Sequence, residues 1–364
     1  MKICLYSPYI PKHAGGGEKY ILDVATTLAR RHSVCVAVPQ QFAGDPSIVT
    51  KYEKFLDRSL ERVSFVPSPL GSKANFMQKL LWTRQFDVMY FLTDGSLFFS
   101  LAKKNILHVQ LPLQIDKSTL IERLKLKQWQ IVNTNSMFTK QVIEPSWPVK
   151  VDLVHYPLID VAEIESATKL IKKEKIILSV GRFFKQLHSK RQEILVEIFR
   201  KLIKDNPKEM KDWKLVFVGA VEDKKYLAQI KRQKKGLPIE FHHDLDRKEL
   251  LKWYGKASIY WHAAGFDVDQ QKNPEKTEHF GISTVEAMVA GCVPVVHAKG
   301  GQIEVVGDKL KDALWITKQE CFDKTLQVIK DEQLFKAHQK EARKRAQFFT
   351  KGFFEQELFK MVEL

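Results

Sequence analysis

Short apolar segments alternate with longer amphipathic segments along almost the whole chain. The apolar segments have the length of buried strands, and the segments between them repeat their apolar residues with helical spacing. Parallel strands joined by crossover helices produce this rhythm, because helices cover both faces of such a sheet. The sequence therefore predicts an α/β fold with doubly wound parallel sheets.

The rhythm runs through the chain twice. A chain of 364 residues, 44% of them hydrophobic, is long enough for two domains with a core each. We therefore predict two consecutive Rossmann-like domains with a boundary near residue 160. The predicted strands lie at 2–7, 33–38, 63–66, 88–91, 106–109 and 130–134 in the first domain and at 176–180, 215–218, 239–242, 259–262 and 293–297 in the second, and the predicted helices lie near 18–31, 72–84, 118–128, 191–204, 247–254 and 331–364.

The net charge of the chain indicates which classes of partner it binds. The chain holds 59 Lys and Arg against 43 Asp and Glu, a formal net charge of +16, which favours nucleotides, nucleic acid or an acidic membrane surface. A basic face interleaved with aromatic residues is typical of nucleic-acid-binding proteins, whereas the lysines here are spread over helices, so we expect no nucleic acid partner. Residues 1–150 hold 20 Lys and Arg against 11 Asp and Glu, which makes the first domain the more basic one per residue.

The four cysteines have neither disulfide nor metal-site spacing, and Cys4 and Cys35 lie inside apolar segments. We interpret the cysteines as reduced core residues, which is typical of a cytosolic protein. No segment approaches the roughly 20 apolar residues of a transmembrane helix, and the amino terminus goes straight into a predicted strand rather than a signal peptide. We therefore expect a cytoplasmic protein.

A glycine-rich segment, Ala-Gly-Gly-Gly-Glu-Lys-Tyr at 14–20, follows the first predicted strand. Its glycines permit close approach of a ligand to the backbone, and the helix after it offers free N–H groups to an anion. The segment is not the GxGxxG of dinucleotide-binding proteins. A plain strand-to-helix turn therefore stays open as the alternative.

A second motif, Gly181-Arg182, ends the first strand of the second domain, and Lys190-Arg191 opens the next helix. Ligands bind at the carboxyl ends of strands in such sheets. An arginine and a lysine at this edge can converge on a diphosphate. A solvated basic loop is the alternative.

The third motif is the most specific, with Glu278 and Glu286 at the two ends of Glu-His-Phe-Gly-Ile-Ser-Thr-Val-Glu. Gly281 and Ser283 predict a helix that starts near Ser283, with Glu286 in its first turn and Glu278 in the preceding loop. One carboxylate then holds one end of a ligand whose phosphates face the helix N-terminus. The alternative is a capping box between Ser283 and Glu286, and both descriptions can hold together.

These motifs, in their order along the chain, resemble those of the family-4, or group 1, glycosyltransferases. The members of that family are retaining, nucleotide-sugar-dependent enzymes of the GT-B fold. The resemblance covers essentially the whole chain. It implies two Rossmann-like domains that face a central cleft: residues 1–160 with a C-terminal helix at about 350–364 on the acceptor side, and residues 161–349 binding the donor. The form Glu-His-Phe-Gly-Ile is similar to the eukaryotic mannosyltransferases that extend lipid-linked oligosaccharides. The motifs are Gly15-Gly16 with Glu18, Gly181-Arg182 with Lys190, Glu278 with Glu286, and Pro294-Val295-Val296, Gly300-Gly301 and Glu304.

The resemblance also implies a role for each site residue. Arg182 and Lys190 would hold the donor diphosphate and stabilise the leaving group. Glu286 would accept hydrogen bonds from the ribose hydroxyls, and Glu278 would contact the sugar hydroxyls. The implied catalytic residues are His108, near the reacting carbon, with Arg182, Lys190 and Glu278, and the implied donor-binding residues are Gly15, Gly16, Gly181, Phe280, Gly281, Ile282 and Glu286.

Two features depart from the family's common pattern. The spacer between Arg182 and Lys190 is longer than in many members, so that Arg191 competes with Lys190 for the diphosphate. The loop 265–277, before Glu278, is longer as well. The departures leave the shape of the sugar pocket open.

We expect no metal and no other cofactor. The pairs Asp244-Leu-Asp246 and Asp267-Val-Asp269 resemble the manganese motif of the other glycosyltransferase fold. Asp246, however, precedes a predicted helix in a capping-box pattern, and the nearby histidines lack a closing ligand set. Arginine, lysine and a helix N-terminus can neutralise a leaving diphosphate without a metal.

The expected function is transfer of a hexosyl group from a nucleotide sugar, of the GDP-mannose type or a UDP-sugar, to a glycan, lipid-linked or small-molecule acceptor. A nucleotide-sugar epimerase or hydrolase on the same fold is the alternative within enzymes. A basic nucleic-acid-binding protein is the alternative from another class.

Contact with an anionic membrane surface is a further expectation, on the inner face of a membrane. The stretch 72–82 carries Lys, Phe, Leu and Trp at helical spacing, as interfacial helices do. Packing of its apolar residues on the sheet is the alternative. The cations expected to add attraction are Lys103, Lys104, Lys117, Arg123, Lys125 and Lys127.

Overall fold

The computed structural model describes residues 1–11, 15–186 and 189–363. The chain divides into two units. Unit 1 holds Met1–Leu158 and Gly352–Leu364, and unit 2 holds Ile159–Lys351. Ala14, the first residue of the glycine-rich segment, lies outside the described residues.

In the described part of unit 1, seven parallel strands form one sheet with helices on both faces. The strands are β1 (Lys2–Tyr6), β2 (Ser33–Pro39), β3 (Val63–Ser68), β4 (Val88–Thr93), β5 (Lys104–Val109), β6 (Ile131–Thr134) and β7 (Leu153–Val154), and the helices are α1 (Gly16–Leu28), α2 (Pro46–Leu56), α3 (Phe76–Thr83), α4 (Leu120–Lys127) and α5 (Met137–Ser146), with a 3-10 turn at Gln40–Phe42.

The strand order in this sheet is β3-β2-β1-β4-β5-β6-β7. Successive side chains of a strand point to opposite faces, so Ile3 and Leu5 of β1 join one core with α1 and α2. Cys4 and Tyr6 join a second core on the other face, together with residues of α4 and α5. The sheet is therefore buried on both sides, as its nearly continuous apolar strands predict.

In the described part of unit 2, six parallel strands form the sheet. Its elements are α6 (Val161–Thr168), β8 (Glu174–Val180), α7 (Gln192–Asp205), β9 (Lys214–Val218), α8 (Lys224–Gln233), β10 (Ile239–His242), α9 (Arg247–Lys256), β11 (Ala257–His262), α10 (Ile282–Val289), β12 (Val293–His297), α11 (Gln302–Val306), β13 (Leu314–Trp315), α12 (Lys318–Lys330) and α13 (Glu332–Ala346), with 3-10 turns at Pro274–Lys276, Asp308–Ala313 and Gln347–Phe349.

The strand order of unit 2 is β10-β9-β8-β11-β12-β13. From β8 the chain moves outward through β9 to β10 and then returns to the other side of β8 with β11. The gap between β8 and β11 is therefore the topological switch point, where ligands bind in open α/β sheets.

The last helix, α14 (Lys351–Glu363), contributes to the core of unit 1. Phe354, Leu358 and Phe359 are buried in the same cluster as the α1 residues. Arg30, two residues after α1, donates two hydrogen bonds to the Glu355 carboxylate, at 2.8 and 2.7 Å. The helix thus supplies one wall of the apolar core under β1.

The α/β class and the two doubly wound parallel sheets predicted from the sequence are confirmed. Strands β10 and β12 have the predicted bounds. The two-residue strands β7 and β13 were not predicted, because two residues are too short to show an apolar period. Within the described ranges, no helix combines the length and apolar character needed to cross a bilayer.

Candidate active site

The candidate site of unit 2 lies at the carboxyl ends of neighbouring strands. Gly181 follows β8, His262 ends β11, and Gly300 follows β12 by three residues. The loop between β11 and α10 carries Glu278 to the same edge. The switch point between β8 and β11 is therefore lined by Gly181, Glu278 and Gly300 of the sequence motifs, together with His262.

The Glu278 carboxylate accepts hydrogen bonds from two side chains. Lys190 donates to Glu278 Oε2, and His262 Nε2 lies 2.8 Å from the same oxygen. The side chains of Lys190 and Glu278 are 17% and 15% exposed, so the ion pair is largely withdrawn from water. His262 was not among the predicted site residues, since nothing in the local pattern ties it to a glutamate 16 positions later.

Charge and burial act in opposite directions on this cluster. Burial by itself raises the pKa of Glu278, yet the Lys190 ammonium and His262 hold that pKa well below its usual range. Burial lowers the pKa of His262, against the opposing effect of Glu278. The cluster is therefore an ionised carboxylate held between an ammonium and a neutral imidazole near pH 7.

Gly181 is needed beside Lys190 for steric reasons. A Cβ on Gly181 would lie 2.6 Å from Lys190 Cγ, so only glycine lets the lysine stem cross the end of β8. Arg191 points elsewhere: its guanidinium donates to the Phe266 carbonyl and, over 2.6 Å, to the Glu193 carboxylate. Of the two neighbouring cations, Lys190 therefore faces the cluster, while Arg191 anchors the start of the loop 265–277 to α7.

Glu286 lies in the second turn of α10 and is buried. Arg247 Nη1 donates to its Oε1 over 2.6 Å, and the Tyr254 hydroxyl donates to its Oε2 over 3.0 Å. Arg247 also reaches Glu163, over 2.9 Å. The carboxylate is thus oriented by α9, and each oxygen keeps a second acceptor position.

The capping box expected between Ser283 and Glu286 is wrong. Helix α10 begins at Ile282 with Gly281 as its N-cap, and the Ser283 hydroxyl lies 2.7 Å from that of Tyr260 instead. Gly281 has a φ of +116°, a conformation that favours glycine. The helix therefore starts one residue earlier, because Gly281 turns the chain where a serine side chain was expected to cap it.

Two glycines that follow β12, Gly300 and Gly301, pack closely against the backbone of the Glu278 motif. A Cβ on Gly300, which has a φ of +61°, would lie 2.0 Å from the Glu278 carbonyl oxygen, and the Gly301 N–H donates to that oxygen over 2.8 Å. Behind Gly281 lies Gln302, whose buried side-chain amide has no hydrogen-bond partner among the described residues. The position of Glu278 thus depends on the Gly300-Gly301 turn.

The remaining predicted residues of unit 2 are less closely grouped. Arg182 is 43% exposed and donates to the Glu222 carboxylate over 2.8 Å. The Phe280 ring is buried and packs edge-on against Phe349, with centroids 5.2 Å apart. Ile282 is the first residue of α10, so its backbone lies at the helix N-terminus.

In unit 1, His108 has no exposed surface. Its imidazole stacks on Tyr20, with ring centroids 3.9 Å apart, and Nδ1 hydrogen-bonds to Asn133. Burial lowers the pKa of His108 to about 3. The role predicted for His108, contact with a ligand near the reacting carbon, stays a prediction.

The glycine-rich turn of unit 1 lies at the amino end of α1. The Gly15 N–H donates to the Glu18 carboxylate over 2.7 Å, and α1 begins at Gly16. Gln110, just after β5, directs its side chain to this turn: its Oε1 lies 3.5 Å from a Cβ built on Gly17. That oxygen is buried without a partner among the described residues, and the sequence pattern did not single it out.

The acidic and histidine residues of the DxD segments are engaged locally. Asp246 is the N-cap of α9 in a capping box with Glu249, as the pattern predicts. His243 Nδ1 lies 3.0 Å from Asp244, and Asp267 lies 3.4 Å from Arg191. In the part of the chain that the structure covers, no group of three or more His, Cys, Asp or Glu side chains is arranged to hold a metal ion.

Comparison with known proteins identifies the family. The family model described as "Glycosyl transferases group 1" matches residues 160–345, slightly more than half of the chain. The chain belongs to the group 1 glycosyl transferases. The matched range contains Lys190, His262, Glu278 and Glu286, which form the site described above.

Curated relatives share part of their length with this chain. The chain is 28% identical over 267 residues to the GDP-Man:Man(3)GlcNAc(2)-PP-Dol alpha-1,2-mannosyltransferase of Neurospora crassa, covering 64% of this chain and 45% of that protein. It is 27% identical over 183 residues to the Homo sapiens protein of the same description, covering 47% of this chain and 34% of that protein. The chain thus spans less than half the length of either relative.

Solved structures share the fold over the whole chain. Anabaena Alr3699/HepE, in complex with UDP and glucose, superposes with a TM-score of 0.70 at 17% identity, covering 100% of this chain and 99% of that one. A glycosyltransferase from Rickettsia africae gives a TM-score of 0.71 at 15% identity, covering 100% and 97%. These likenesses establish the GT-B fold.

Proposed function

We propose that the chain is a retaining glycosyltransferase that moves a hexosyl group from a nucleotide sugar onto an acceptor. The observation that carries the proposal is the contact of Lys190 and His262 with Glu278 at the switch point of the unit 2 sheet. In a nucleotide sugar the diphosphate and the sugar are neighbours. The Lys190 cation can bind the diphosphate, while the ionised Glu278 carboxylate beside it accepts hydrogen bonds from the sugar. Membership in the group 1 family supports the same reaction.

Lys190 and Arg182 stabilise the leaving diphosphate. Departure of the nucleotide leaves negative charge on the phosphate oxygens, and fixed cations lower the energy of that transition state. The N-terminus of α10, with the backbone of Gly281 and Ile282, adds N–H donors on the same side. With these groups the reaction needs no metal ion.

The two glutamates divide the donor between them. Glu278 accepts hydrogen bonds from the sugar hydroxyls, and its contact with Lys190 keeps the sugar next to the diphosphate. Glu286 accepts hydrogen bonds from the ribose hydroxyls, and Arg247 and Tyr254 keep its carboxylate in one orientation. The acceptor attacks on the face that the diphosphate leaves, with a donor phosphate oxygen taking its proton, so an α-linked donor gives an α-linked product.

Unit 1 contributes through its glycine-rich turn. The backbone of Gly15 and Gly16 offers N–H groups to an anionic group of the substrate, and Gln110, just after β5, offers the neighbouring side chain. The role predicted for His108 near the reacting carbon stays part of the proposal, and its imidazole also stacks on Tyr20 of α1.

The donor we propose is GDP-mannose and the acceptor a lipid-linked glycan. The activity for which the curated relatives are named supports this choice, because they are described as GDP-Man:Man(3)GlcNAc(2)-PP-Dol alpha-1,2-mannosyltransferases. An acceptor of this kind is held in a membrane, which supports a cytoplasmic enzyme associated peripherally with the membrane face.

Two measurements test the reaction class. A thermal-shift panel of GDP, UDP and ADP with their sugars should give the largest shift with GDP and GDP-mannose, because a ligand that binds the folded state raises Tm by mass action. Product should appear only when a lipid-linked acceptor is present, and NMR should show that the product retains the anomeric configuration of the donor. Addition of EDTA should not lower the rate of transfer.

Two other outcomes of these measurements would favour the alternative functions. Consumption of the donor at the same rate without an acceptor means a hydrolase or epimerase on this fold. Absence of any nucleotide shift, with a salt-sensitive gel shift of nucleic acid, means a basic nucleic-acid-binding protein.

A further inference from the structure

Helix α4 exposes an apolar face to solvent, whereas a helix that packs on a core exposes its polar face. Its apolar residues Leu120, Ile121 and Leu124 are 73%, 60% and 48% exposed, whereas Leu126 is buried against the sheet. With about 100° per residue, the three exposed residues fall within one stripe of roughly 100°, centred opposite Leu126. A globular protein in water buries such a stripe instead.

Cations flank this apolar stripe. Lys127 and Arg123 follow Leu120 around the helix on one side, and Lys125 borders Ile121 on the other. Lys125 is neutralised by Glu122, 3.2 Å away, and so is Lys117, at 3.3 Å. Arg123 and Lys127 are exposed. Arg123 Nε donates to the Ser118 carbonyl over 2.9 Å, and neither side chain makes an ion pair among the described residues.

A cavity of about 350 Å³ opens beside these two cations. Arg123, Lys127 and Lys150 line it, together with Trp129 and Asp152. The Asp152 carboxylate accepts a hydrogen bond from the Val132 N–H over 2.8 Å, which engages one of its oxygens with the backbone. The cavity therefore presents three cations against one partly satisfied carboxylate and favours an anionic occupant.

A second group of exposed apolar residues lies on α3. Phe76, Met77 and Leu81 are each more than half exposed, so the alternative, in which the apolar residues of this stretch pack on the sheet, is wrong for these three. Hydrogen bonds connect the two helices through the loop between β4 and β5: Leu101 N–H donates to Thr83 of α3 over 2.8 Å, and Ser100 N–H donates to Gln128 at the end of α4, also over 2.8 Å.

We infer that the exposed face of α4 is a docking surface for an anionic lipid bilayer, with Leu120, Ile121 and Leu124 inserted at the headgroup boundary and the cavity at Arg123, Lys127 and Lys150 holding a lipid phosphate. The combination of an outward apolar stripe with flanking unpaired cations carries the inference, because interfacial helices require both. The inference rests on the proposed function in that a membrane-held acceptor gives the surface its use.

Co-sedimentation of the full chain with vesicles tests the surface. Vesicles of phosphatidylcholine alone are compared with vesicles holding about 30% phosphatidylserine, at low and at physiological salt. The wild type should bind the anionic vesicles at least tenfold more tightly, with weaker binding at the higher salt. Binding that ignores lipid charge, or no binding at any composition, overturns the inference.

Two triple variants separate the apolar from the charged contribution. Leu120→Ser/Ile121→Ser/Leu124→Ser should lose at least tenfold in vesicle binding, and Arg123→Gln/Lys127→Gln/Lys150→Gln should lose the preference for anionic lipid. The control is Leu170→Ser, which removes a 94% exposed leucine of unit 2 and should bind as the wild type does. Equal binding by the apolar triple variant and the wild type overturns the inference.

A label reports insertion independently of affinity. The four native cysteines are buried, so Leu124→Cys can be labelled with an environment-sensitive fluorophore, with Leu170→Cys as the control. Only the Leu124→Cys label should shift to the blue on anionic vesicles; no shift there overturns the inference. Both triple variants should keep the wild-type Tm and the GDP-dependent thermal shift, and if the wild type lacks that shift yet still binds vesicles, the proposed function fails while the docking surface stands.

Discussion

Arg247 Nη1 and Glu286 Oε1 lie 2.6 Å apart, so that a guanidinium at the start of α9 fixes a carboxylate on α10 that is 39 positions away in sequence. Arg247 also contacts Glu163 on α6, which ties three helices of unit 2 together. The contact makes Glu286 a pre-oriented acceptor, which is what recognition of a ribose diol requires.

Substitution of the two glutamates should separate nucleotide binding from transfer. Glu286→Gln should weaken GDP binding about tenfold, because a hydrogen bond to a charged group contributes about 1.5–3 kcal/mol. Glu278→Gln should leave GDP affinity within about twofold and reduce transfer, because its proposed partner is the sugar. Calorimetry with GDP alone checks both; equal losses of GDP affinity in the two variants would contradict the division of roles.

Removal of the site cations should slow turnover. Lys190→Ala and Arg182→Ala should each lower kcat about a hundredfold, which corresponds to about 3 kcal/mol of lost transition-state stabilisation. Lys175→Ala is the matched control, since Lys175 is a partly exposed lysine at the amino end of the same strand, β8. Near-normal kcat in both site variants would remove the diphosphate assignment.

The Gly300 turn should be as important as a side chain of the site. Gly300→Ala places a methyl group against the Glu278 carbonyl and should cut transfer at least tenfold. Gly236→Ala is the control: Gly236 has a φ of +75°, and a Cβ there meets nothing within 4 Å. In both variants alanine replaces a glycine of positive φ, which costs about 1–2 kcal/mol. Comparable kcat values in the two variants would therefore show that the contact with Glu278 is unimportant.

Acid should destabilise unit 1 through its buried histidines. Burial lowers the pKa of His108 to about 3 and of His155 to about 4, against about 6.5 in an unfolded chain. The unfolded state therefore binds more protons below pH 6.5, and the free energy of unfolding should fall by about 1.4 kcal/mol per pH unit for each histidine between pH 6.5 and 4.

Denaturant unfolding at pH 7, 6 and 5 measures this dependence. His155→Gln should reduce the slope by the contribution of one histidine, whatever its effect on stability at pH 7. Leu170→Ser, which replaces an exposed side chain that does not titrate, should leave the slope unchanged. A slope in His155→Gln equal to that of the wild type would contradict the assignment.

The predicted elements that agree with the structure are those with a strong local pattern. Strands at 239–242 and 293–297 were predicted with their final bounds. The segment 293–297 is continuously buried, as central parallel strands are, whereas 239–242 is a half-buried strand at the edge of the sheet. Asp246 and Glu249 predicted a capping box that α9 has. The same local reasoning failed at Ser283, because the backbone at Gly281 accommodates a left-handed residue that turns the chain first.

The sequence by itself determined the α/β alternation, the two sheets and the motifs that carry Lys190, Glu278 and Glu286, since each depends on residues close together in the chain. Only the tertiary structure decided which groups meet: His262 with Glu278, Arg247 with Glu286, and Gln110 with the glycine-rich turn. It also decided exposure, burying His108 and turning the apolar face of α4 outward. The physical reason is that contact and burial depend on strand order and helix packing, which join residues tens of positions apart and leave no periodic signal in the sequence.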